Sequence, residues 1–132
     1  MSLHPSKDDI YIRANPKQGK LIGRLCNSNT HSVDVASFKG IPYALPPVGV
    51  RRWKPAESAP GWKGRRRALY FAPACSQLIE ENIESLFYQP APQTSEDCLY
   101  LNVWAPMGTS NIGQCPYPVM VWIHGGGLLE GA

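Results

Sequence analysis

Val119-Met120-Val121-Trp122-Ile123-His124-Gly125-Gly126-Gly127 is the stretch on which the reading of this chain turns. Five apolar residues in succession have the pattern of a strand buried on both faces, because a half-solvated strand would alternate. The three glycines that follow end the strand in a loop of bare backbone. N–H groups presented in such a loop can face a developing negative charge, which is half of an ester-cleaving site. The other half would be a nucleophile on a sharp strand-to-helix turn, and no G-x-S-x-G occurs in the 132 residues.

Working outward, twelve glycines and thirteen prolines exceed the roughly 12% of average usage, so much of the chain reads as turns and irregular coil. The net charge of +3 arises largely from Arg51, Arg52, Lys54, Lys63, Arg65, Arg66 and Arg67. These basic residues lie among prolines and glycines, with neither a recognition helix nor stacking platforms beside them. They read as a solvated loop, and nucleic acid is not expected as a partner. No apolar run approaches the roughly 18 residues of a membrane span. Cys26, Cys75, Cys98 and Cys115 show no C-x-x-C spacing, so a metal site is not expected. The first residues carry no hydrophobic segment ahead of Asp8, which leaves two readings of localisation: cytosolic with free thiols, or exported from a start further upstream.

Residues 9–13, 20–25 and 31–38 are short β-branched runs between polar punctuation and predict a small antiparallel sheet. From 39 to 75 the prolines predict extended coil, with Trp53, Trp62, Tyr70 and Phe71 anchoring it to a core. A helix is expected over 76–88, with Ser76 as N-cap and Leu78, Ile79, Ile83, Leu86 and Phe87 on a stripe opposite Glu80, Glu81 and Glu84. Pro90 and Pro92 end it. Strands are expected at 98–104 and 119–123.

Four blocks then carry a resemblance. They are Phe38-Lys39-Gly40-Ile41-Pro42-Tyr43-Ala44; Trp62-Lys63-Gly64 leading to Pro73-Ala74-Cys75-Ser76-Gln77; Ser95-Glu96-Asp97-Cys98-Leu99-Tyr100-Leu101-Asn102-Val103-Trp104-Ala105-Pro106; and His124-Gly125-Gly126-Gly127. In kind and order they resemble the type-B carboxylesterases, the cholinesterase-like branch of the α/β-hydrolases. The resemblance implies an α/β fold, of which residues 1–132 form an incomplete N-terminal part: a small antiparallel sheet, a long Pro/Gly-rich coil, one helix and the first strands of a central mixed sheet. It implies an acyl-enzyme mechanism on a small-molecule ester without metal or organic cofactor. Gly126 and Gly127 would be oxyanion-hole donors, supported by Gly125 and by His124 in a positional rather than acid–base role. The catalytic triad is not in this chain, and the remainder of the hydrolase fold would supply it.

By the same resemblance Cys75 and Cys98 pair in a disulfide, worth about 3 kcal/mol for a loop of that size. Arg52 and Glu96 form an ion pair tying the proline-rich coil to the signature block. Leu128 stands where the family usually carries an aromatic, and Arg65-Arg66-Arg67 replaces a stretch that is usually acidic. Two other functions remain open on the sequence: a non-catalytic binding or adhesion module of the same fold, and a truncated product without function. A chain ending soon after an unpartnered apolar strand is expected to be poorly soluble or partly unfolded.

Overall fold

The computed structural model describes residues 11–14 (backbone only), 16–26, 34–77, 93–107, 117–127 and 131. Its centre is a five-stranded mixed sheet. Strands β1 (Tyr11–Ala14), β2 (Lys20–Cys26), β3 (Asp34–Pro42) and β7 (Tyr100–Met107) are successive antiparallel neighbours. Strand β4 (Arg65–Arg67) pairs in parallel with β2, and a two-residue pair joins β5 (Ala74–Cys75) to β6 (Thr94–Ser95).

The sheet packs a small core. Leu21, Ala36, Phe38 and Ala68 are buried together, with Ile41 and Trp62 against them. In β2, Leu21 and Gly23 alternate inward, and Gly23 leaves the room that the Phe38 ring fills: a Cβ there would lie 2.5 Å from Phe38 Cδ1. The β3–β7 register shifts between Phe38 and Ile41, where Lys39 and Gly40 bulge. Gly40 holds φ +67°, and a Cβ on it would lie 2.8 Å from the Tyr70 carbonyl, so the bulge requires glycine. The freed backbone groups are satisfied: Lys39 N–H donates to Ala68 O at 2.9 Å, and Gly40 N–H to Asn102 Oδ1 at 3.0 Å.

Several expectations need correction. Arg65–Arg67 is a strand rather than a solvated loop, because Trp62 draws the chain onto the sheet. Its N–H donates to Gln18 O (2.7 Å) and its indole Nε1 to Lys20 O (2.9 Å), and Ala68 N–H continues the ladder to Ile22 O (2.8 Å). Of the four aromatics expected to anchor the coil, Trp62 does so. The others stay outside the core: Tyr70 and Phe71 are more than half exposed, and Phe71 instead meets Trp104, with ring centroids 6.2 Å apart, under the Lys39 ammonium. The segment 119–123 is extended but forms no strand, and its side chains are 80–96% exposed. A strand apolar on both faces needs hydrogen-bonded neighbours and covering layers, and the described residues provide neither. Most of the helix expected over 76–88 lies outside the described residues; Ser76 and Gln77 are not helical.

Trp53 is 95% exposed at φ +62°. Arg52 at φ −59°, ψ 136° precedes it, and Lys54 N–H donates to Arg51 O at 3.2 Å, so residues 51–54 make a type II turn with Trp53 where glycine or asparagine is preferred. Trp53→Asn removes the strain without uncovering any core, and should stabilise the full-length protein by about 0.5–1 kcal/mol. A lower urea midpoint for the variant would refute this account of the turn.

Candidate active site

The apolar segment delivers His124 and the glycine triplet at its end. Gly126 holds φ +121° and Gly127 φ +62°, both in the region where a side chain is disfavoured. Successive residues of this kind turn the backbone so that neighbouring N–H groups can converge on one anion. His124 Nδ1 lies 2.8 Å from the Gly125 carbonyl oxygen, so the ring is held by its own loop. A neutral imidazole in the tautomer with a proton on Nδ1 donates that bond.

Arg52 occupies the second position of the turn at 51–54 and reaches Glu96 through two contacts, Nη2 to Oε2 at 2.7 Å and Nε to Oε1 at 2.6 Å. The planar fork fits the carboxylate side by side. Both side chains are about half exposed, at 50% and 44%, so this is a surface clamp rather than a buried pair. The hydrogen bonds from Arg52 hold the Glu96 carboxyl below its usual 4.5. A depressed carboxyl contributes stability above its unfolded value and loses it as pH falls through the folded one. Glu96→Gln should therefore flatten the acid limb of stability between about pH 5 and about pH 3. Equal slopes for variant and parent in acid denaturation would sink this assignment.

The β5–β6 pair brings Cys75 towards Cys98, and both are free thiols in this structure. Cys98 is pushed up to about 12, first by burial and then by its hydrogen bond with the Cys75 thiol. Tyr43 faces the same pair and is raised first by burial and then by the electrostatic influence of Cys75 and Cys98. Tyr100 is likewise raised by burial and by its hydrogen bond with Asp97. Arg66 lies near both Trp62 and Tyr100, 5.9 and 6.0 Å from their ring centroids. Among the described residues no three His, Cys, Asp or Glu side chains converge as a metal site, and no helix is long and apolar enough to cross a membrane.

Two residues gain a place that sequence reading did not give them. Asn102 fills the bulge at Gly40, and the Gln77 side chain bonds the backbone of Gly131, 54 positions away. Both lie in or beside the quoted blocks, but no local pattern announces a partner so far along the chain.

A mixed sheet accompanied by an apolar segment that opens into a glycine triplet is consistent with the N-terminal part of an α/β-hydrolase. A sequence model of the carboxylesterase family matches residues 11–132, and the chain belongs to that family. It is 43% identical over 127 residues to a fumonisin B1 esterase of Sphingopyxis macrogoltabida, an alignment covering 93% of this chain and 22% of the relative. It is 40% identical over 134 residues to carboxylesterase 1F of Mus musculus and 34% identical to liver carboxylesterase 1 of Oryctolagus cuniculus, each alignment covering 97% of this chain and 23% of the relative. The chain thus spans under a quarter of the length of these relatives.

Proposed function

We propose that this chain is the N-terminal portion of a serine carboxylic ester hydrolase, with Gly126 and Gly127 as oxyanion-hole donors. The observation that carries the reading is the pair of positive φ angles at the triplet of a carboxylesterase-family chain. Residues 1–132 are one part of a single α/β-hydrolase domain, and the triad comes from the remainder of the fold. There a serine Oγ attacks the ester carbonyl carbon while a histidine takes its proton, and the carbonyl oxygen becomes an oxyanion held by the two glycine N–H groups. Collapse expels the alcohol, which leaves with the histidine's proton. Water then attacks the acyl-enzyme by the same route and releases the acid. Side chains and backbone amides supply this chemistry, which calls for no metal or organic cofactor.

The supporting residues follow from the same reading. His124 is positional, braced on the Gly125 carbonyl. The Arg52–Glu96 clamp ties the proline-rich coil to the strand that follows. In an oxidising compartment Cys75 and Cys98 close the intervening loop as a disulfide.

The test is expression of the complete reading frame that contains these residues. Hydrolysis of p-nitrophenyl esters and covalent labelling of a serine by a fluorophosphonate are expected. A folded full-length protein showing neither would overturn the proposal.

A further inference from the structure

Gln77 is half-buried, and its side-chain amide is fully engaged. Oε1 accepts the Gly131 N–H at 3.0 Å, while Nε2 donates to Gly131 O and to Cys75 O, both at 3.1 Å. The amide thus bonds both backbone groups of Gly131 as a neighbouring strand would, and the third bond anchors it to β5. A flipped amide would set NH₂ against the Gly131 N–H, so the network defines the orientation. Gly131 in turn lies close against the start of the glycine triplet. Its φ is +119°, and a Cβ on it would collide with His124 Nδ1 and lie 2.6 Å from Gly125 O. A continuous line of contacts therefore runs from β5 through Gln77 and Gly131 to His124 and Gly125, next to Gly126.

We propose that Gln77 is a positioning residue for the oxyanion hole: its amide clasps Gly131, which buttresses the backbone that aims the Gly126 and Gly127 N–H groups. The proposal rests on the ester-hydrolase reading for its catalytic consequence, but not for the clasp itself. A glycine-rich loop has little conformational preference of its own, and donors must meet the oxyanion within a few tenths of an ångström. The amide supplies order without placing any group on the substrate. Its loss should therefore lower transition-state stabilisation far more than substrate binding.

Two variants in the full-length protein test this. Gln77→Met keeps the length and bulk of the side chain and removes all three bonds. Gln77→Glu keeps an acceptor for the Gly131 N–H but sets a carboxylate against two carbonyls. Both should speed amide hydrogen exchange in the peptide covering 120–132, and both should lower kcat for a p-nitrophenyl ester by about 10- to 100-fold while KM changes less than about threefold. Exchange unchanged in both variants would overturn the clasp. Faster exchange with kcat retained would reduce Gln77 to a structural residue and overturn its positioning role. If the parent protein folds but hydrolyses no ester, the ester-hydrolase reading and with it the positioning role fall, and exchange alone decides the clasp.

Discussion

On the proposed ester-hydrolase reading, Gly126→Ala in the full-length protein should lower kcat by about 100-fold or more, and Gly127→Ala should lower it much less. The difference follows from the two backbone angles. At φ +62° Gly127 sits in the small left-handed basin, where alanine is strained by about 1–2 kcal/mol, and among the described residues a Cβ there would meet nothing within 4 Å. Gly126 at φ +121° lies outside that basin, so alanine must rotate the peptide to be accommodated. Rotation swings the adjoining N–H groups away from the oxyanion, and loss of one such donor typically costs about 100- to 1000-fold in kcat. Initial rates on a p-nitrophenyl ester measure both variants. A Gly126→Ala enzyme with near-parental kcat would remove this residue from the oxyanion hole.

Phe38→Ala should be the most damaging single change to the fold, destabilising by about 3–5 kcal/mol. Phe38 is the one aromatic among the four residues at the centre of the core, and its ring lies against the bare Cα of Gly23. Its partners are small: Ala36 and Ala68 have no side-chain length with which to refill the space. Phe38 also stands beside the bulge at Gly40, paired with Val103 of β7, so the void would open at the joint between β3 and β7. Since a domain's net stability is only about 5–15 kcal/mol, the variant should lose a large share of it. Urea titration of the full-length protein should show the midpoint falling by about 1 M or more. A shift below about 0.5 M would mean that the core carries less of the stability than its burial indicates.

Much of the sheet was legible in the residues. β2 and β3 fall within one to four residues of the expected runs, because short β-branched segments between Gly, Asn and Ser have little alternative to strands. The family was legible for a different reason: four ordered blocks are a long pattern, and chance matches to a long pattern are rare. The glycine loop was legible in residue type, since glycine adopts most readily the positive angles now seen at Gly126 and Gly127. Aromatic anchoring was misjudged because hydrophobicity alone does not say which of several rings a small core can hold. Trp62 is held by two hydrogen bonds to the chain around β2, whereas Trp53 is turned outward by the type II turn that contains it.

Local pattern thus determined β1 to β3 and the glycine loop, which depend on residues within a few positions of one another, and the order of four such local blocks determined the carboxylesterase family. Tertiary structure decided the rest. Arg65–Arg67 became a strand by pairing in parallel with β2, while 119–123 pairs with no strand among the described residues. Asn102 meets Gly40 across 62 positions and Gln77 meets Gly131 across 54. Each pair depends on how the chain has already folded between the partners, and no periodicity or propensity along the sequence carries that information.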